Sequence, residues 1–383
     1  MIRLSRYLCS TLLLATAAVA SQAADVDKAT DPNPTLITLH ADNQPLSDIL
    51  STISQQTGMT VRCALGQQPA PLSVNVDKQP FWNVIDDLCK RTQSSVGPAF
   101  MGNGSALTIQ NGVQAQGKST ISGPVMLRFQ QIQHVDDLTL APDQQDSCEI
   151  TGTAMWEPRL KVLFTEAQTA PTVAEDENGV SLLPDESALQ GGPPGYPRGQ
   201  NPYGQYAVPQ RFNENQQFQT DLHIRLHVPS NAGRRVKDLS GKWKLFVPGK
   251  VDHLDISPIA ATNQKVYSFG DLGSLKLQFA QANDEMVQLQ FTTVGRGTPI
   301  QHCLFQTLHA RVVDAAGALW GDTQGNRNGG QVNVGMGGDM TYLMVYVRPS
   351  AGAKGKPAKV TLEGPVTANE IDVPFSLKDF PLP

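Results

Sequence analysis

Thr35-Leu36-Ile37-Thr38-Leu39-His40-Ala41, followed by Pro45-Leu46-Ser47-Asp48-Ile49-Leu50 and a stop at Gly58, is the stretch that decides the fold. The first seven residues alternate as a strand does. Beyond them Leu46, Ile49, Leu50 and Ile53 recur at helical spacing, with Pro45 to open the helix and Gly58 to close it. The same device repeats downstream. Met59 to Leu65 reads as a strand, Leu72-Ser73-Val74-Asn75-Val76 alternates again, and Pro80 opens a second helix bearing Phe81, Val84, Ile85 and Leu88. Val96 to Met101 and Ala106 to Ile109 then make a hairpin around Gly102-Asn103-Gly104. The order is βαββαβ with a final strand, an α+β unit over residues 35–112 that is long enough to fold on its own.

Outward from this unit the chain changes character on both sides. Toward the N-terminus, Arg3 and Arg6, an apolar run from Leu8 to Ala20 and the small residues of Ser21-Gln22-Ala23 read as a signal peptide over 1–23. The run is too short to cross a bilayer, so no membrane span is expected after its removal. Residues 24–34 read as a flexible lead-in. These features place the protein in the periplasm or outside the cell. Losing Arg3 and Arg6 moves the formal charge from −5 to −7, the wrong sign for nucleic acid.

Toward the C-terminus helical spacing gives way to strands, and two mostly antiparallel, Ig-like β-sandwich domains are expected over 119–258 and 264–383. Gly 33 and Pro 27 supply the turns, and a hydrophobic fraction of 40% supplies more than one core. Two features hint at an internal duplication. The turn Asp176-Glu177-Asn178-Gly179 resembles Asp314-Ala315-Ala316-Gly317, and Leu239 to Ile256 parallels Val360 to Val373 in having strand, Pro/Gly turn, strand. An insertion at 184–217, rich in Gly, Pro, Gln and Asn, cannot pack a core. Its Tyr196, Tyr203 and Tyr206 are candidate partner contacts; a tolerated loop is the plainer reading.

Thr38-Leu39-His40-Ala41-Asp42-Asn43-Gln44-Pro45-Leu46-Ser47-Asp48-Ile49-Leu50, Gln55-Gln56-Thr57-Gly58-Met59 and Val74-Asn75-Val76 ahead of Pro80-Phe81-Trp82 resemble the short N-terminal periplasmic domain of secretins and TonB-dependent receptors, over roughly 36–110. The resemblance implies a recognition module that binds proteins. No barrel or secretin ring follows, so transport is not implied. Trp156-Glu157-Pro158-Arg159, Val247-Pro248-Gly249-Lys250 and the ending Val373-Pro374-Phe375 with Lys378-Asp379-Phe380-Pro381 resemble an uncharacterised family of exported bacterial proteins that couples such a module to sandwiches.

Candidate chemistry is sparse. Cys63, Cys89, Cys148 and Cys303 remain in the mature chain as disulfide candidates. Cys63 with Cys89 is favoured, since both point inward on packed elements, and Cys148 with Cys303 follows by elimination; reduced core thiols are the alternative. His223 and His227 alternate with Leu222, Ile224 and Leu226 on a strand and read as surface residues rather than a metal pair. Gly321 to Gly330 lacks the carboxylates of a calcium loop. The acid groups Asp86-Asp87, Asp136-Asp137 and Glu175-Asp176-Glu177 read as solvated surface. No catalytic or cofactor motif is found, and no metal or cofactor is expected. The expectation is a non-catalytic interaction or structural protein of the cell envelope whose partner is an unidentified envelope or extracellular protein, with self-association open. A carbohydrate-binding or carbohydrate-cleaving sandwich is the alternative and would need an exposed aromatic row.

Overall fold

The computed structural model describes residues 29–98, 106–112, 118–136, 146–166, 169, 171–184, 206–207, 218–259, 264–294, 298–322, 330–334 and 341–383. The signal-like segment, Gly102 to Gly104, Tyr196, Tyr203 and most of the Gly321 to Gly330 loop lie outside them. The first elements are β1 (Leu36–Gln44), α1 (Leu46–Thr57), β2 (Thr60–Ala64), β3 (Leu72–Pro80), α2 (Phe81–Thr92), β4 (Ser94–Pro98) and β5 (Ala106–Asn111). Pro45 and Pro80 stand immediately ahead of the two helices, and Gly58 ends α1 at φ 70°, where a Cβ would be strained. β1 pairs antiparallel with β3; β5 lies between β2, which it pairs in parallel, and β4. Leu46, Ile49, Leu50 and Ile53 of α1 and Phe81, Trp82, Val84, Ile85 and Leu88 of α2 are buried between them.

The chain then becomes mostly β, in several antiparallel sheets. β6 (Ser119–Ser122), β7 (Val125–Asp136), β8 (Asp146–Trp156) and β12 (Gln219–His227) form one sheet in the order β12-β8-β7-β6. β9 (Phe164–Glu166), β10 (Pro171–Asp176), β11 (Tyr206–Ala207) and β13 (Arg235–Pro248) belong to a second. The two sheets share one hydrophobic core, with Leu127, Ile150, Leu222 and Ile224 from the first and Leu239, Trp243, Leu245 and Val247 from the second.

Beyond Pro248 come β14 (Val251–Ile256), β15 (Val266–Ser268), β16 (Ser274–Ala282), β17 (Val287–Thr293), α3 (Pro299–Gln306), β18 (His309–Asp314), β19 (Leu319–Asp322), β20 (Gly330–Val334), β21 (Thr341–Val347), β22 (Pro357–Pro365) and β23 (Ala368–Pro381). They build the sheets β15-β16-β17-β21-β20 and β14-β22-β18-β19 around a second core that includes Leu277, Leu289, Val312, Trp320, Val345 and Val360. The sequence reading expects strands and no helix here. The structure corrects this: Thr298 caps α3 in a capping box with Gln301, its hydroxyl accepting from Gln301 N–H while the Gln301 amide accepts from Thr298 N–H.

The boundary read near 258–264 is not where the sheets change. β14 leaves the first unit to pair with β22, and β23 leaves the second to pair with β13. Arg235 lies opposite Pro381 and Pro248 opposite Ala368; Val251 then lies opposite Pro365 and Ile256 opposite Val360. Across the joint the register does not change, and Gly249 N–H donates to the Thr367 carbonyl at 2.9 Å. One antiparallel ribbon therefore threads both cores. Its two halves are the segments whose likeness was legible in the sequence.

The order β6-β7-β8-β12 beside β10-β13-β23 matches β15-β16-β17-β21 beside β18-β22-β14, strand for strand along the chain. β7 bulges between Phe129 and Gln131 against β8, as β16 does between Leu277 and Phe279 against β17. In both units an Asp closes the turn. Asp176 Oδ1 accepts from Asn178 and Val180 N–H at 2.8 and 2.7 Å, and Asp314 Oδ1 accepts from Ala316 and Ala318 N–H at 2.9 and 2.9 Å. Gly179 and Gly317 have φ 81° and 82°. Each unit is thus completed by the strand that follows the other unit's sixth.

Candidate functional site

The α+β elements at the N-terminus offer the first candidate surface, and their strand edges are not equivalent. Gln56, in the last turn of α1, lies along the outer edge of β1. Thr38 N–H donates to its Oε1 at 3.3 Å, and its Nε2 donates to the Thr38 carbonyl at 2.6 Å. Ser54 does the same for β2: Val61 N–H donates to Ser54 Oγ at 3.0 Å, and that hydroxyl lies 3.3 Å from the Val61 carbonyl. Side-chain amide and hydroxyl thus stand in for a neighbouring strand.

The outer edge of β3 is treated differently. Arg91 Nη1 donates to the Ser73 carbonyl at 3.1 Å, which shows that Ser73 turns its backbone outward. Asn75 and Asp77, two and four residues on, share that direction. His40 and Asn75 face each other with Nδ1 and Oδ1 2.6 Å apart, as close side chains of a non-hydrogen-bonded pair do. Among the described residues no group caps the β3 edge at Asn75 or Asp77, and both are exposed.

This α+β region does not hang on a flexible tether. Trp82 is fully buried, and its Nε1 donates to the Pro124 carbonyl at 2.9 Å in the turn between β6 and β7. Glu157, also fully buried, accepts from Thr35 N–H at 2.9 Å and from Thr35 Oγ1 at 2.6 Å, and pairs with Arg159 Nε at 2.6 Å. Arg159 reaches further, to the Asp31 carbonyl at 2.9 Å and to the Asn33 carbonyl. Lys161 N–H donates to the Ala29 carbonyl at 2.9 Å. The expected flexible lead-in is therefore held over 29–35. The Trp156-Glu157-Pro158-Arg159 motif is the clamp that holds it, a role its spelling does not reveal, because the partner residues stand more than 120 positions away. Arg128 enters the same contact, 7% exposed, with Nη2 unbonded near Asp86 and Cys89 of α2.

None of the four described cysteines is bonded. Cys148 sits in the first core and Cys303 in the second, so elimination joined two residues that the fold separates. For Cys63 and Cys89 the inward directions were correct, but β2 packs chiefly on α1 while α2 packs on β4 and β3. Burial pushes the Cys89 thiol up to about 11 and those of Cys148 and Cys303 to about 12, which leaves them as inert small hydrophobes.

His223, Arg225 and His227 lie opposite the buried Leu222, Ile224 and Leu226, as the alternation requires. His223 Nδ1 meets Glu149 Oε1 at 3.0 Å and Arg225 meets Ser147 Oγ at 3.2 Å, across the β8–β12 pair. Among the described residues no group of three or more His, Cys, Asp or Glu could hold a metal. Of the acid pairs, Asp87 is solvated and paired with Arg91 at 2.8 Å, but Asp86 is buried under Lys90 and Asp176 is buried under backbone donors. Burial would raise the Asp176 carboxyl; the N–H groups of Gly233, Val180, Asn178 and Gly179 outweigh it and hold it below the usual range. Trp82, Trp156, Trp243 and Trp320, which are all the tryptophans of the chain, are buried and cannot form an exposed platform for sugars.

Of the three tyrosines in the insertion, only Tyr206 is described. Its backbone lies in β11, opposite Glu166 of β9. Glu166 was not singled out in the sequence. It is a strand residue with no motif around it, and only the folded sheet reveals its burial, which pushes its carboxyl up to about 7. No protein-family model matches this chain, and no curated protein or solved structure matches it either.

Proposed function

We propose that this is an exported, non-catalytic envelope protein that binds another envelope or extracellular protein by taking an extended segment of that partner alongside β3. The observation that carries the reading is the contrast between edges. β1 and β2 are capped by Gln56 and Ser54, whereas β3 offers Asn75 and Asp77 uncapped among the described residues. An open polar edge supplies main-chain hydrogen bonds to an added strand. Reading 35–112 as a βαββαβ module and the two later units as Ig-like sandwiches fits this role, as does the resemblance to the secretin and TonB-receptor domain. Rigid attachment through Trp82 and Glu157 aims that edge in a fixed direction, with the insertion at 184–217 as a second contact strip.

A photo-crosslinker at Asp77 in cells that make the protein is expected to trap one discrete partner. Asn75→Pro, which removes an outward N–H, should lower the yield at least tenfold with an unchanged circular dichroism spectrum. Equal trapping by a crosslinker at His223, on the far sheet, or an undiminished yield in the proline variant, overturns the reading.

A further inference from the structure

The two sandwich units carry the same outer face, and only one of the two is covered. Aligned on their bulges, β7 and β16 set Met126-Leu127-Arg128-Phe129-Gln130 against Ser274-Leu275-Lys276-Leu277-Gln278, so the cation at Arg128 returns at Lys276. The bulged glutamines reach the same neighbour. Gln130 Nε2 donates to Thr153 Oγ1 at 3.2 Å and Gln278 Nε2 to Thr292 Oγ1 at 2.9 Å, with Thr153 opposite Arg128 and Thr292 opposite Lys276. Two residues further along these second strands stand Met155 and Val294, the first opposite Met126 and the second donating its N–H to the Ser274 carbonyl at 2.9 Å.

In the first unit the α+β region occupies this face. Trp82, Asp86 and Cys89 fall at i, i+4 and i+7 on one side of α2. Trp82 bonds the Pro124 carbonyl, and Arg128 lies near Asp86 and Cys89. Met126 and Met155 alternate with the core residues Leu127 and Ala154 and so point away from the sandwich interior, yet both are buried, Met155 at 2% exposure. In the second unit the corresponding positions are open. Val294 is 57% exposed, Val266 and Phe279 beside it are exposed as well, and Lys276 is half-buried among them. The cross-strand neighbours of Lys276 are Val266 and Thr292, neither of them an acid. Val266, Phe279 and Val294 are three of the eight large hydrophobic residues exposed among the described residues, and they gather on three adjacent strands.

We propose that the face formed by Val266, Lys276, Phe279 and Val294 docks a helix of another protein, one that presents a large aromatic residue with an acid one turn on, as α2 presents Trp82 and Asp86 to the first unit. The three apolar side chains gain by leaving water. Lys276 fixes the charge of the occupant, because a lysine covered by an apolar helix would lose its hydration with nothing in return, whereas an acid at that point restores a partner. A second copy of the chain does not fit the role: its α2 is already buried against its own first unit, and supplying it would strip Trp82 from Pro124. The face lies on a different unit from β3, so it adds a second binding surface and does not depend on the first.

The probe is a synthetic peptide of residues 79–93, stapled between positions 83 and 87 because so short a helix is marginal alone. It carries Phe81→Gln, Val84→Gln, Ile85→Gln and Leu88→Gln, which leave the side of Trp82 and Asp86 as its docking face. Fluorescence anisotropy of the labelled peptide with the purified full chain should show saturable binding, weakened at least about tenfold by Lys276→Glu and by Val294→Asp at an unchanged circular dichroism spectrum. Adding Asp86→Lys to the peptide should weaken binding to the wild-type chain and restore it to Lys276→Glu. A photo-crosslinker at Phe279 should join the peptide, and one at Val251, exposed on the other sheet, should not. No binding by about 1 mM peptide, equal binding by Lys276→Glu, no recovery on the charge swap, or a Phe279 crosslink to a second copy of the chain overturns the inference. Asn75→Pro should leave peptide binding unchanged, so failure here and failure at β3 are told apart.

Discussion

Glu157 shows how one buried charge can organise an interface. Its carboxylate has no solvent to turn to, and its donors come from Thr35 and Arg159, one on the segment leading into β1 and one beside it after β8. A buried ion pair adds little net stability against an apolar pair of the same shape, yet removing one partner strands the other. Arg159→Met is therefore expected to cost about 3–5 kcal/mol in chemical denaturation, because it leaves the buried Glu157 without its cation and frees the carbonyls of Asp31 and Asn33. A loss below about 1 kcal/mol would show that water reaches the carboxylate and that the clamp contributes no more than an exposed pair.

Among the elements, the pairing of β8 with β7 depends on a glycine that no local turn demands. Gly152 of β8 faces the β7 bulge, and a Cβ there would lie 2.2 Å from the Arg128 carbonyl oxygen. That atom is backbone, tied into the ladders on both sides, and cannot swing aside as a side chain does. Gly152→Ala is expected to destabilise the fold by about 1–3 kcal/mol, whereas Gly179→Ser, at φ 81° but in open space, should cost about 1 kcal/mol through backbone strain alone. Thermal melts of the two variants decide the order; a milder effect at Gly152 would mean that the bulge relaxes. The element that escaped the sequence reading, α3, also has a physical explanation. Only eight residues long, it shows barely two turns of periodicity, and Cys303, Leu304 and Phe305 in succession look like a buried strand. The Thr298 and Gln301 box was the available signal.

For the molecule as a whole, the ribbon of β13–β14 against β22–β23 makes the two sandwiches interdependent. Val373, Phe375 and Leu377 of the final strand lie in the first core, which the Trp82 and Glu157 contacts also join to the α+β region. Deleting 368–383 removes no residue of 119–258, yet it strips β13 of a partner along its whole length and opens that core. Loss of the near-ultraviolet signal of the buried tryptophans in the truncated chain is the expected result. A truncated chain that keeps that signal would show that the first unit closes without its borrowed strand.

Local order set the alternation that gives β1, β7, β12 and β16, the prolines that open α1 and α2, the glycine that ends α1, and the predominance of strands after residue 119. Periodicity and backbone restriction act between neighbours, so the amino-acid order alone carries them. It even carried the likeness between 239–256 and 360–373. That these two stretches pair with each other, that Cys148 and Cys303 lie in separate cores, that Glu157 reaches Thr35 and that one oxygen of the Glu166 carboxyl is sealed from solvent were decided by packing across more than 70 positions of chain. Such contacts depend on which faces meet once the cores close, and no residue's neighbours in sequence encode that.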